Sequence, residues 1–414
     1  MGVCLLLHGL CYSLGTMFVR KIDKVKIMDA NYAQELLRKL VAIPSVNPGF
    51  THAPADTVGE EQMAEFLLRW AEDNGIFAQR FEVAKGRPCI LLETGPKDGA
   101  ALLLSAHMDT VWTEMEQPFT LQEKGNYLCG LGAVDDKGSL VSALCALRVL
   151  NQINISLRFL VLATCDEEFG MQGIRHMIPE HIRPDGVIIS EATNLKIVTA
   201  HKGCNRLVIQ TKGKRVHSSL VPAGENAIYK AAELATALKA YSAELLCDHR
   251  HPLLGSNTLN VGVIQGGTQA NVVPDNCTIT LDFRSLPGET PESIRAHVHK
   301  ALANCEADYD IIEEDYDARA LDTAPDIPMV RYLQKILSAS GLDAEPHGAP
   351  YTTEAFRPAE FGIPTIVFGP GDVAVAHAIN ERIAKEQLLQ ASELLIRLVT
   401  SRNWQKSDFM TESK

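Results

Sequence analysis

From about Asn31 onward, apolar positions recur with two different periods. Tyr32 to Val41 carries them at helical spacing, and Ile43-Pro44-Ser45 closes that run. Glu60 to Asn74 repeats the helical pattern and stops at Gly75. Phe77 to Val83, Cys89 to Glu93 and Ala101 to Ser105 then read as strands. Leu140 to Leu150 reads as a helix, and Leu157 to Ala163 and Val187 to Ser190 as buried strands. Strands alternating with helices predict an α/β sheet covered by helices on both faces.

The pattern changes near Lys202. Asn205 to Thr211, Thr258 to Ile264 and Thr278 to Phe283 alternate as half-exposed strands do, and Tyr309 to Glu313 adds a fourth. Glu225 to Ala243 and Pro291 to Ala303 are helical. This βαββαβ order predicts a small α+β, ferredoxin-like module inserted into the first domain. After Pro325 the α/β pattern resumes, with a helix over 328–339, a strand from Pro364 to Phe368 and a final helix from Ala384 to Thr400. The expected division is a domain of residues 28–203 and 317–414, built on a mixed, mainly parallel sheet, around an inserted domain of residues 204–316. Val3 to Phe18 is the one apolar run that suggests a membrane. It is short for a spanning helix, and Arg20, Lys21 and Lys24 follow it rather than precede it. Residues 1–27 are therefore read as an N-terminal extension before a start at Met28, with no membrane partner expected.

Composition narrows the function classes. The 414 residues give each of two domains enough chain to bury a core. A formal charge of -12 disfavours nucleic acid, whose binding rests on clustered Lys and Arg. The 10 cysteines are scattered singly, without Cys-x-x-Cys spacing, so free thiols in a reducing, cytoplasmic setting are expected.

Three predicted strands end in chemistry-bearing residues. Ala101-Leu-Leu-Leu-Ser-Ala-His107-Met-Asp109 begins apolar, and His107 and Asp109 share a face at its end. Leu157 to Thr164 runs into Asp166-Glu167-Glu168, and Val187 to Ser190 into Glu191. A glycine-flanked loop holds Asp135 and Asp136 before a helix, and His377 follows Gly369-Pro-Gly371. Read singly, each has an ordinary explanation: a surface His–Asp pair, acids capping a helix, a solvated acidic turn. Read together, they set imidazoles and carboxylates at the ends of parallel strands, where open α/β sheets keep their sites. Adjacent acids repel unless a cation compensates, and this donor set suits a pair of borderline divalent ions.

As a set, the segments SAHMDT, GLGAVDDKG, CDEEFG, SEA and AHAINE resemble an amidohydrolase family. That family contains acetylornithine deacetylase, succinyl-diaminopimelate desuccinylase, aminoacylase and bacterial glutamate carboxypeptidase. The likeness runs from about Asp29 to Asn403. It implies a zinc-peptidase-like catalytic domain, a lid and dimerisation role for the inserted module, and hence a homodimer. It further implies two divalent ions, zinc with cobalt as a substitute, and hydrolysis of a small N-acyl amino acid. Carried over residue by residue, Asp135 bridges the ions, His107 and Glu191 serve one, and Glu168 and His377 the other. Glu167 is the general base, Asp109 the partner behind His107, and Asp136 a structural neighbour. His217 matches a lid histidine that donates to the oxyanion, and Asn271 and Arg284 match segments that hold the substrate's carboxylate. Arg284 paired with Asp282 remains an equal reading, as does a plain turn for Gly369-Pro-Gly371, whose N–H groups could serve the same carboxylate. Pro350-Tyr-Thr-Thr-Glu354 and Phe368-Gly-Pro-Gly-Asp372 look closest to the acetylornithine deacetylase branch, which makes Glu354 the expected partner of a substrate ammonium, against a helix-start carboxylate. The rivals are another N-acyl amino acid hydrolase or dipeptidase on the same scaffold, and a non-catalytic metal-binding scaffold, which Glu167 disfavours. No Gly-x-Ser-x-Gly elbow supports a serine hydrolase.

Overall fold

The computed structural model describes residues 29–248 and 251–409, so the reading of residues 1–27 lies outside the described residues. The chain opens with α1 (Ala30–Val41), capped by the Asp29 side chain accepting from Asn31 N, and α2 (Glu61–Asp73). There follow β1 (Phe77–Ala84), β2 (Arg87–Thr94), β3 (Ala101–His107), β4 (Gln122–Lys124), β5 (Tyr127–Cys129) and α3 (Lys137–Leu150). Next come β6 (Arg158–Thr164), α4 (Gln172–Met177), β7 (Gly186–Ile189) and β8 (Ile197–His201). The inserted segment holds β9 (Cys204–Lys212), β10 (Val216–His217), α5 (Ala227–Asp248), β11 (Thr258–Gly266), β12 (Val272–Val273), β13 (Asn276–Arg284), α6 (Pro291–Leu302) and β14 (Asp310–Ala318). The chain then returns through β15 (Leu321–Asp322), α7 (Pro328–Ala339), β16 (Pro346–Ala349), α8 (Phe356–Glu360), β17 (Thr365–Val367), β18 (Arg382–Ala384) and α9 (Lys385–Thr400).

The large sheet has the order β1-β2-β6-β3-β7-β17-β8-β15, with β16 beside β8. Its centre, β6-β3-β7-β17, is parallel. The other ladders are antiparallel except β16 with β8, so the sheet is evenly mixed rather than mainly parallel. Chain connectivity explains this. β1 and β2 are joined by a tight turn, which admits only antiparallel pairing, whereas the central strands are linked by helical crossovers.

Alternation along β3 decides which way its polar end points. Leu102, Leu104 and Ala106 pack into the core under α1, α2, α3, α7 and α9. Ala101 and Leu103 pack on the opposite face, with Ile174 and Met177 of α4 and Phe356 of α8. Ser105 and His107 have the parity of Ala101 and Leu103, and so lie on that second face. In the inserted segment, β11-β13-β9-β14 form an antiparallel sheet packed on α5 and α6 around Ile209, Leu234, Leu238, Ile279, Leu281, Phe283 and Val298. Ferredoxin-like modules have this strand order, as the βαββαβ periodicity predicted.

The elements that periodicity did not reveal are short ones. β8, α4, β16 and α8 have four to six residues each. Too short to show a period, they persist because tertiary packing holds them. No helix among the described residues is long and apolar enough to cross a membrane.

Candidate metal centre

Four parallel strands deliver their following residues to one edge of the sheet. Register places His107 opposite Thr164, and Ser105 opposite Ile189, so the ends of β3, β6 and β7 lie side by side. β17 joins them with Val367 opposite Ile189. His107 ends β3, Asp166-Glu167-Glu168 follow β6, Glu191 follows β7, and the Gly369-Pro-Gly371 turn follows β17. Asp135 arrives from the loop before α3, and His377 from the stretch before β18.

Asp135 stands between the two imidazoles. Its Oδ1 lies 2.9 Å from His107 Nε2 and its Oδ2 3.2 Å from His377 Nε2. His377 Nε2 also approaches Glu168 Oε2 at 3.1 Å. One donor atom each from His107, Asp135 and Glu168 fall within 4.8 Å of one another. His107 Nδ1 donates to the Asp109 backbone carbonyl at 2.9 Å, which directs the Nε2 lone pair of the neutral ring into the cluster.

The Asp109 carboxylate has a further task. It accepts from the backbone N–H groups of Glu167 and Glu168, both at 3.1 Å, and from Asn47 Nδ2 at 2.7 Å. Its oxygen is 3.6 Å from His107 Nδ1, so it braces the acidic turn more closely than it braces the ring. Asp166, at φ 67, anchors the same turn by accepting from Asn47 and from Arg87, whose guanidinium also forks onto the buried Glu60. Asp136 is fully buried and its Oδ2 accepts from His107 N, in keeping with a structural role.

Electrostatics make the cluster a seat for cations. Burial raises the carboxyls of Glu167 and Glu191 well above the usual range, and Asp135 adds to both. Burial would raise Asp135 too, but His107 and His377 outweigh it and hold that carboxyl below its ordinary value. The Asp135 and Glu168 carboxylates push His377 up to about 11. His107 is also raised well above its ordinary value, because its carboxylate neighbours overcome its burial. Protons here stand where divalent ions would serve the same carboxylates, and imidazole with carboxylate is a donor set that borderline divalent metals favour.

Two expectations are corrected. Glu354 is 1% exposed and accepts from Ser105 Oγ at 3.1 Å and Thr164 Oγ1 at 3.0 Å, on the apolar face behind His107. Buried between two strands, it is closed to a ligand's ammonium, and α8 starts only at Phe356, so it is no helix-start residue either. The Gly369 and Gly371 N–H groups are already used, by Thr193 Oγ1 at 3.1 Å and Gln387 Oε1 at 2.7 Å. That turn packs against the Glu191 segment instead: a Cβ on Gly369 would sit 2.5 Å from the Glu191 carbonyl oxygen. Of the two readings open for Arg284, the pair with Asp282 is the one this structure holds: the guanidinium at the end of β13 forks onto that carboxylate, at 2.7 and 3.1 Å.

The remaining candidates, His217 and Asn271, lie side by side on the inserted segment. His217 pairs with Val272 in the β10–β12 ladder, next to Asn271, whose carbonyl accepts from Ser218 N. The His217 ring is exposed and hydrogen bonds to Ser219. Asn47, Arg87 and Glu381 were missed as site-building residues. Glu381 closes the AHAINE segment and so was in view, whereas Asn47 and Arg87 carry no local signal, since their partners are distant in sequence.

The chain matches peptidase family M20/M25/M40 over residues 103–401. It belongs to that family. An acetylornithine deacetylase from Proteus mirabilis is 33% identical over 88% of this chain and 95% of its own length. Another from Myxococcus xanthus is 32% identical over 72% and 80%. Among solved structures, the aminopeptidase PepT of Bacillus cereus has a TM-score of 0.72 at 22% identity, covering 90% of this chain and 98% of its own. A dinuclear metal-binding M20 peptidase of Bacillus subtilis has a TM-score of 0.65 at 16% identity, covering 90% and 98%. This family member is a metal-binding hydrolase acting on linear amides.

Two outcomes follow from the geometry. Because His107 and His377 hold protons above their ordinary pKa, divalent ions must displace them, so metal affinity should rise from pH 6 to pH 8 with proton release. Titration calorimetry in buffers of different ionisation enthalpy measures this, and binding without proton release would contradict it. Glu354→Ala, which strips Ser105 and Thr164 of a shared acceptor, should cost about 1–3 kcal/mol in urea unfolding. It should leave unchanged the preference between N-acyl derivatives of a cationic and a neutral amino acid. A selective loss on the cationic substrate would restore Glu354 to ligand binding.

Proposed function

We propose that this chain is a zinc-dependent acetylornithine deacetylase, a homodimer that releases ornithine and acetate in cytoplasmic arginine biosynthesis. The hydrolytic reading rests chiefly on one observation: Asp135 turns its two oxygens toward two different imidazoles, with the buried carboxyl of Glu167 in the same cluster. The substrate choice rests on the acetylornithine deacetylases that resemble the chain along most of its length.

In this reading Asp135 is the shared ligand, His107 and Glu191 complete one ion's protein shell, and Glu168 and His377 the other's. Two such ions, zinc or cobalt, acidify a water and polarise an amide carbonyl when bound. Glu167 accepts that water's proton and passes one to the departing amine. Its burial serves this role, since a raised pKa makes the carboxylate a stronger base toward that proton. For the substrate's carboxylate the candidates remain Arg284 and Asn271 on the lid side, with Arg284 exchanging Asp282 for it. The eight described cysteines are free thiols, which agrees with a reducing compartment.

The dimer reading draws on exposed apolar side chains of the inserted segment. Val263 and Ile264 lie on β11, one of the two edge strands of its sheet, with Leu220 and Val221 on the turn after His217 and Tyr229 on α5. An edge strand and apolar surface of this kind suit pairing with a second copy. His217, hydrogen-bonded to Ser219 in its own chain, would then serve the partner's site.

Glu167→Gln should lower kcat by roughly 10²–10⁴-fold while two ions remain bound. Initial rates on N-acetylornithine, succinyl-diaminopimelate, N-acetylmethionine and a dipeptide identify the substrate. Full turnover by the variant sinks the base assignment, and a higher kcat/KM on another substrate replaces acetylornithine. Mixing inactive Glu167→Ala and His217→Ala homodimers under exchange should restore part of the activity. Verified mixed dimers that stay inactive would rule out His217 acting across the interface.

A further inference from the structure

We infer that Glu381 is a positioning residue that locks the loop of Asp135 and the segment of His377 into one frame; this rests on reading both as metal ligands. The carboxylate is 1% exposed and lies in the hollow of the 130–135 loop. Its Oε1 accepts from Val134 N at 2.9 Å and Asp135 N at 3.1 Å, and its Oε2 from Gly132 N at 3.0 Å. The Glu381 backbone joins the same clamp, because its carbonyl accepts from Gly130 N at 3.3 Å. Immediately downstream, Arg382, Ile383 and Ala384 pair with Cys129, Leu128 and Tyr127, so the late segment is zipped along the approach to the loop.

This arrangement solves a problem of distance in sequence. Asp135 and His377 must meet within hydrogen-bonding range although both sit on irregular backbone, and His377 takes a left-handed φ of 57. Neither a helix nor a strand fixes their spacing. Converging backbone N–H groups form a concavity that favours an anion, and a buried carboxylate fills it with acceptors on both oxygens. Glu381 lies four residues after His377, so a single turn of chain carries one ligand and holds the backbone of the other. It touches no reacting group: its effect passes through the backbone of Asp135.

Glutamine at 381 keeps the shape but turns an NH2 toward N–H donors at one end, which loosens the loop without removing a ligand. Glu381→Gln should weaken one of the two ions by about 10–100-fold in chelator competition, the usual effect of losing a group that orients a ligand. It should alter the visible absorption of the cobalt-substituted protein and lower kcat with little change in KM. Glu381→Asp, which keeps the charge with shorter reach, should fall between it and the wild type, and covers the case that the glutamine variant does not fold. Asp135→Asn is the reference. Intact metal affinity and cobalt spectrum in both Glu381 variants, with loss in Asp135→Asn, overturn the positioning role even if thermal stability falls. No change in Asp135→Asn either overturns the ligand reading beneath it.

Discussion

Asp135 is the residue on which the rest of the site depends, because one small carboxylate is asked to face two imidazoles at once. Each of its oxygens lies about 3 Å from a different ring, at 2.9 Å for His107 and 3.2 Å for His377. Such a position is tolerable only in a strongly positive field, since Glu167, Glu168 and Glu191 crowd around it and burial raises all three. Cations at this point relieve the repulsion and gain two nitrogen donors. The same charge density that opposes folding therefore becomes binding energy for metal.

Keeping that density in place requires buried polar scaffolding, and the chain supplies it from places with no local relation. Asn47 joins Asp109 to Asp166, Arg87 joins Asp166 to Glu60, and Asp109 takes the N–H groups of Glu167 and Glu168. The acidic turn is thus hung from three separate segments. Glu354 adds a brace on the other side of His107, linking the ends of β3 and β6 through Ser105 and Thr164. Buried networks of this kind are costly when incomplete and rigid when complete, which suits groups that must hold position within a fraction of an ångström.

Much of the fold was legible in the sequence. Helices and strands longer than about seven residues showed their period, and the βαββαβ run revealed the inserted module. Part of the candidate cluster was legible because His107, Glu168 and Glu191 lie at or just beyond the ends of apolar strands, and a strand's two-residue period forces His107 and Asp109 onto a shared side, whereas Asp135 and His377 sit on loops. The substrate contacts were less so. Glu354 and the Gly369-Pro-Gly371 turn sit in segments that invite a ligand, yet both are consumed by the protein's own hydrogen bonds. Nothing local distinguishes an N–H offered to a substrate from one already taken.

What the sequence by itself determined is the chemical inventory and its approximate address: which imidazoles and carboxylates exist, and that parallel strands carry them to one edge of a sheet. Periodicity is enough for that, because side-chain direction repeats with the backbone. Only the tertiary structure decided which polar groups face one another. Asp135 meets His377 from 242 positions away in sequence, and Glu381 reaches back to Gly132 in the same way. Those encounters depend on how irregular loops pack, where neither period nor propensity constrains the chain and each hydrogen bond is chosen by the partners that folding brings within reach.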